Sequence, residues 1–243
     1  MTRKAIIVYT FSIVCRLGLA QDNNFCACED STRTLFEPKL TGEVYQPVIM
    51  RGMEFYHINY GDGTIILENG DTIFHNQIRY NGRMDALLYH VPNTVHEIQL
   101  DKFAIKEFDF NENQDYQREV FRKIRVKNDF FSDTAEVFSQ LLYEDRLSLF
   151  AFRQYVSKHD QLVAVTNDRE IAKPLYVPSF IYYFQLPNHK TIGFKKFKRK
   201  DLYELFPERK EAMKQLFREN HQRRFKKESD LVRITEILNK MID

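Results

Sequence analysis

The stretch Gly61–Tyr80, GDGTIILENGDTIFHNQIRY, carries two alternating apolar runs that meet at Asn69-Gly70. Asn-Gly between such runs is a strong hairpin signal, because a type I′ turn needs positive φ at both central residues and these two tolerate it. Counting outward from a two-residue turn sets Ile65 opposite Phe74 and Ile66 opposite Ile73. That register puts Ile65, Leu67, Phe74, Ile78 and Tyr80 on one face of a half-buried antiparallel sheet, with His75 facing Thr64.

Strand signals surround this hairpin. Upstream are Glu43–Tyr45 and the alternating Met53–Tyr60; downstream, after a second turn at Asn81-Gly82, come Ala86–Val91, Thr94–Leu100 and Ile105–Phe110. Such short spacing predicts a meander whose sequential strands pair as neighbours. Beyond the polar break 109–115 the pattern continues through Val120–Val126, a hairpin of Val137–Tyr143 and Leu147–Val156, and a last hairpin of Phe180–Leu186 and Thr191–Phe197. Residues 157–179 lack a pattern and read as a long loop, which in a compact domain points to function or mobility. The 21 Phe and 13 Tyr, with no Trp, also lean toward sheet.

Near the end the period changes to that of helices. Pro207 suits a first helical position, with Ala212, Met213, Leu216 and Phe217 as an apolar stripe. A second helix carries Leu231, Ile234, Ile237, Leu238 and Met241, with Ser229 or Asp230 as its cap. The expectation is an α+β fold, mainly antiparallel β hairpins and meander with a two-helix C-terminal tail. A β domain would span 42–198, and a helical segment, 199–243, would pack on it.

The first twenty residues read as a secretory signal: Arg3-Lys4, the apolar run Ala5–Cys15, and small residues at Gly18 and Ala20. About eleven apolar residues fall short of the roughly 20 that span a bilayer, so no transmembrane span is expected after cleavage. Loss of Arg3, Lys4 and Arg16 lowers the formal net charge of +2 by three, to −1, which argues neither for nucleic acid nor for an acidic substrate, and for an exported chain no nucleic-acid partner is expected. Residues 21–41 read as an N-terminal arm. There Cys26 and Cys28 could close a strained disulfide in an oxidising compartment, or bridge to another chain.

Candidate chemistry is sparse. Asp109, Asn111, Asn113 and Asp115 fall at positions 1, 3, 5 and 7 of a calcium loop, but Gln114 stands where that loop needs Gly and Val120 where it needs a bidentate Glu. His57, His75, His90 and His96 lie in the sheet region without metal-ligand spacing. No nucleophile elbow occurs, and Asp62 and Asp71 flank turns that account for them. The basic run Lys190, Lys195, Lys196, Lys198, Arg199 and Lys200, interleaved with Phe194 and Phe197, could meet phosphates, anionic lipid headgroups or an acidic partner. On an edge hairpin it would equally block further strand pairing. No cofactor is expected.

Gly63–Gly70, Arg79-Tyr80-Asn81 followed by Asp85 and Leu87, the Phe138–Leu149 hairpin and the ending from Tyr182 to Leu231 together resemble a family of exported, functionally unassigned β-rich proteins common in Bacteroidota. The resemblance implies a periplasmic or surface-exposed β domain with a helical tail, and it assigns no catalytic residue. Three functions are compatible with the sequence. One is a non-enzymatic interaction or scaffold protein touching envelope proteins or an anionic envelope surface. The others are a hydrolase with a site near His57, His75 and the 157–179 loop, and a β domain that holds an apolar ligand.

Overall fold

The computed structural model describes residues 40–47, 51–111, 118–127, 134–158, 164–166, 169–171, 174–194, 198–219 and 227–241. Cys26, Cys28, Asn113, Asp115, Lys195, Lys196 and the segment read as a signal lie outside them. The strands run β1 (Gly42–Val44), β2 (Arg51–Gly52), β3 (Gly61–Leu67), β4 (Thr72–Asn81), β5 (Ala86–His90), β6 (Glu97–Leu100), β7 (Ile105–Asn111) and β8 (Arg118–Lys127). They continue as β9 (Thr134–Tyr143), β10 (Ser148–Phe152), β11 (Tyr155–Lys158), β12 (Ala164–Thr166), β13 (Arg169–Ile171), β14 (Leu175–Pro178), β15 (Ile181–Gln185) and β16 (Thr191–Phe194). Among the described residues eleven strands form one sheet in the order β1-β6-β5-β4-β3-β7-β8-β9-β10-β15-β16. The fold is α+β and β-rich, as its alternation implied. Sequential pairing is broken three times: β1 pairs with β6, β7 returns to pair with β3 and leaves β4, β5 and β6 on the far side, and β15 pairs with β10.

The central hairpin corrects the expected register. Leu67 N–H donates to Asp71 O at 2.9 Å and Gly70 N–H to Leu67 O at 3.0 Å, so the loop is Glu68-Asn69-Gly70. Only Gly70 is left-handed, with φ of 91°. This is the three-residue hairpin with a bulge at the left-handed glycine. Asn69 Oδ1 supports it by accepting Asp71 N–H at 3.0 Å. Ile65 therefore pairs with Ile73, and Phe74, opposite Thr64, turns outward and is 71% exposed. A second irregularity, between Gly61↔Ile78 and Gly63↔His75, inserts one extra residue in β4 and returns Ile78 and Tyr80 to the core face.

Alternation along β8 divides the core. Phe121 belongs to a cluster with Ile65, Ile78, Tyr80, Phe108 and Phe138, whereas Ile124 and Val126, on the opposite face, pack with Val137, Phe150 and Tyr183. The sheet thus curls in opposite senses at its two ends. In the first curl Tyr80 Oη lies 3.3 Å from Phe138 O, joining β4 to β9 across the core, and Phe108 stacks on Phe121 at 5.0 Å. In the second, Thr191 Oγ1 donates to Arg125 O at 2.5 Å, bringing β16 onto β8.

The C-terminal segment forms three helices rather than two: α1 (Arg199–Leu205), α2 (Lys210–Glu219) and α3 (Glu228–Asn239). Pro207 opens a short 3-10 turn between α1 and α2. Asp201 and Asp230 reach back to accept the N–H of Lys198 and Lys227, each at 3.0 Å, which fixes the starts of α1 and α3. Leu202, Met213, Phe217, Leu231, Ile234 and Leu238 cover Leu147, Leu149 and Phe184 of the sheet. Two further expectations fail. Met53–Tyr60 makes no strand, only an isolated bridge from Phe55 to Asn81; residues 56–59 are bends, with Phe55 against the Arg79 guanidinium and Tyr56 against the Phe121 ring. Residues 157–179 contain strands: β11 and β14 pair, β2 joins β14 in parallel, and β12 pairs with β13.

Candidate functional site

The irregular stretch after β2 brings Tyr56 and His57 against the open end of the first curl. The Tyr56 ring meets Phe121 edge-on at 5.3 Å, and the His57 ring sits between Tyr56 at 4.4 Å and Phe110 at 5.3 Å. Glu119 on β8 and Gln140 on β9 share the face of Phe121, so three sheet residues and two loop residues converge.

His57 Nε2 lies 2.7 Å from Glu119 Oε2, and Gln140 Nε2 donates to Glu119 Oε1 at 3.3 Å. Tyr56 Oη is 3.0 Å from Glu119 Oε1 and 3.2 Å from Gln140 Oε1. Arg153, with only 5% of its surface exposed, donates from Nε to Gln140 Oε1 at 2.7 Å and turns its fork onto Glu228 at 2.7 and 2.8 Å. Tyr182 Oη completes the chain by donating to Glu228 Oε2 at 3.1 Å. A continuous polar line therefore runs from His57 through the sheet to the first residue of α3.

Burial pushes the Glu119 carboxyl up, but the bonds from His57 and Tyr56 and the charge of Arg153 outweigh it and hold the group below its ordinary value. Burial raises the Tyr56 phenol, which stays protonated as a donor. Arg153 is also penalised by burial, yet the Glu228 pairing keeps its guanidinium more firmly charged than in water. Beside His57 opens a cleft of about 280 Å³ lined by Asn59, Tyr60, Asp62, Phe110 and Asn111, among others.

The residues singled out by sequence are not assembled into a site. Asp109 is buried and paired with Arg118 at 2.5 Å, so a cation there would have to displace a guanidinium. Asn111 lines the cleft instead. Among the described residues no three His, Cys, Asp or Glu side chains are grouped as metal ligands. His57 pairs with Glu119, His90 lies against Tyr60 at 5.0 Å, and His96 is exposed in the β5–β6 turn. Asp71 serves its turn, accepting the Asn69 amide at 2.7 Å. Arg199 and Lys200 belong to α1 rather than an edge hairpin: Arg199 lies over the Phe217 ring at 5.1 Å and Lys200 pairs with Glu204 at 3.3 Å.

The sequence reading missed Glu119, Gln140, Arg153 and Glu228. One signal was available, since Arg153 interrupts the apolar run Leu147–Val156 and a charge inside a buried strand needs a partner. Two other buried polar groups are structural. Glu54 accepts from Tyr45, Asn81 and Arg83, each at 3.0 Å. Asp85, held left-handed at φ of 54°, accepts from Tyr80 Oη at 2.6 Å, from Phe138 N at 3.1 Å and from Lys102. Among the described residues no helix is long and apolar enough to cross a membrane. Comparison with protein-family models, with curated proteins and with solved structures finds no match to this chain.

Proposed function

We propose that the chain is an exported, non-enzymatic interaction or scaffold protein of the bacterial cell envelope, of the kind it resembles in Bacteroidota. The observation that carries this reading is how the fold uses its ionic groups. His57 is tied to Glu119, Arg79 to Glu97, Lys102 to Asp85 and Arg153 to Glu228, so these groups brace the fold. Around them, turns and strand ends present Ile58, Phe74, Val95 and Phe103, each at least 71% exposed, as apolar contact points for a partner. Lys190, Lys198 and Lys200 offer exposed positive charge to an anionic surface. Affinity isolation of the tagged protein from its native envelope is the test. Repeated recovery of the same envelope component supports the reading, and repeated recovery of nothing sinks it.

One observation favours a second reading, a hydrolase. A histidine and a carboxylate 2.7 Å apart stand beside a cleft, which is the geometry of a general base. Among the described residues neither Ser nor Cys lines that cleft, so with these residues His57 would have to activate water directly. Turnover of an ester or amide substrate that disappears in His57→Ala would establish it.

A further inference from the structure

Four buried side-chain polar atoms without a hydrogen-bond partner among the described residues lie in one patch: Gln77 Oε1, Arg79 Nε, His90 Nδ1 and Glu97 Oε2. The register brings them together. His90 pairs with Glu97 across β5 and β6, and Gln77 stands one step beyond the Ile78↔Tyr89 pair. Alternation sends Ile78, Tyr80, Tyr89 and Ile98 into the core, so these four occupy the opposite face.

The patch has an aromatic cover. The Arg79 guanidinium lies 3.5 Å from the Phe55 ring centroid and 4.5 Å from that of Tyr60, and Tyr60 also lies against the His90 ring. Tyr60 Oη donates to Glu97 Oε1 at 2.5 Å, and Arg79 donates to the same oxygen at 2.6 Å. The backbone of this stretch is held at its start by the Phe55–Asn81 bridge and by Tyr56 N–H to Tyr80 O at 3.0 Å, and at its end by β3, which begins at Gly61 and pairs with Ile78, so any movement of the cover at Tyr60 is a rotation of its side chain. Residues 56–59 are bends rather than ladder. Tyr60 is therefore the wall between the patch and the cleft that it lines.

We infer that Tyr60 is the movable wall of a binding site for a small, neutral, polyhydroxylated ligand, a single sugar ring or polyol. It enters by the cleft and bonds to Gln77, Arg79, His90 and Glu97. Arg79 and Glu97 cancel in charge, so the patch has no net pull on an ion. Its unmet needs are mixed: two oxygens require donors, Arg79 Nε–H requires an acceptor, and an imidazole nitrogen takes either role. A hydroxyl is the group that donates and accepts at one atom, and neighbouring hydroxyls on a ring satisfy neighbouring side chains. The ring's C–H face would rest on Tyr60, while Asn59, Asp62 and Asn111 at the mouth add contacts of the same kind. The cleft is small by the standard of ligand sites, which fits one ring and not a polymer.

The test is an NMR titration of the purified protein with glucose, galactose, mannose, N-acetylglucosamine and inositol, with sulfate and putrescine as charged controls. Saturable shifts at Tyr60, Gln77 and His90 are expected for at least one neutral ligand. Affinity should fall about tenfold or more in Gln77→Leu, since a ligand hydroxyl then loses its acceptor. His90→Leu should weaken it too, and circular dichroism identifies which variant keeps the fold. The inference is overturned if only the charged probes bind, if binding survives in a folded variant, or if a crystal soaked with the ligands shows ordered water alone in the patch. Envelope pull-down does not depend on this site, so the two tests fail independently.

Discussion

The Asn239 side chain pairs with the backbone of Leu147 as a neighbouring strand would. Its Oδ1 accepts Leu147 N–H and its Nδ2 donates to Leu147 O, both at 2.8 Å and both buried. A residue 92 positions away, on the last turn of α3, thus satisfies the backbone just before β10. The helix is locked in register with the sheet by one amide.

That pairing makes the first prediction. Asn239→Ala leaves a buried donor and a buried acceptor on Leu147 without partners, which costs about 2–4 kcal/mol. Asn239→Asp keeps the acceptor but faces Leu147 O with a carboxylate, so it should not rescue. Urea unfolding of both variants checks this, and a loss within error of zero for Asn239→Ala would refute it.

The other end of α3 is held by charge. Arg153 is 6% exposed at its side chain and Glu228 34%, so the two truncations are unequal. Glu228→Gln strands a buried guanidinium and should cost about 2–4 kcal/mol; Arg153→Met releases a carboxylate already near water and should cost less. The double variant should be more stable than the sum of the singles implies, with a coupling of about 1–2 kcal/mol from a denaturation cycle.

Legibility in the sequence followed range. Alternation and turn residues identified most strands because the period of two and a positive-φ glycine are local properties of the chain. Register was not legible. Asn69-Gly70 serves a two-residue loop or the end of a three-residue one equally well, and that one-residue difference alone moved Phe74 from core to solvent. Helix α1 hid because seven residues carry too little periodicity, and β11 to β14 because strands of three or four residues carry less. The His57 to Glu228 line was invisible for a different reason: its bonded members lie up to 84 residues apart, and a one-dimensional pattern carries no record of who meets whom.

The hairpin register makes its own prediction. Phe74→Ser should change stability by less than about 0.5 kcal/mol, as expected for an exposed site. Ile73→Ala, packed against the first core cluster, should cost about 1–3 kcal/mol. A two-residue turn would reverse that order.

Gly70 isolates backbone strain from packing, since a Cβ added there meets nothing within 4 Å. Gly70→Ala should therefore destabilise by about 1–2 kcal/mol through the left-handed φ of 91° alone. Gly70→Asn should recover part of the loss, because Asn tolerates that region. Thermal unfolding of the pair separates the two, and equal melting temperatures for Ala and Asn would count against the bulged turn.

Two part-buried carboxyls should give opposite slopes in stability against pH. Glu119 is held below its ordinary 4.5 by His57, Tyr56 and Arg153, against the upward push of burial. The unfolded chain takes up that proton first, so the stabilisation is complete above about pH 5 and is lost as pH falls through the folded value. Asp85 is raised from 3.8 by burial, despite Lys102, Tyr80 and the Phe138 amide. Here the folded chain holds the proton more tightly, so this contribution is present at low pH and is lost as pH rises through the folded value. In urea titrations between pH 3 and 7, Glu119→Gln should remove stability most at the neutral end. Asp85→Asn keeps an acceptor for Tyr80 and Phe138 and tolerates the left-handed backbone, so it should do least harm there. If Glu119→Gln instead loses the same stability at both ends, the carboxylate is not held charged by its neighbours.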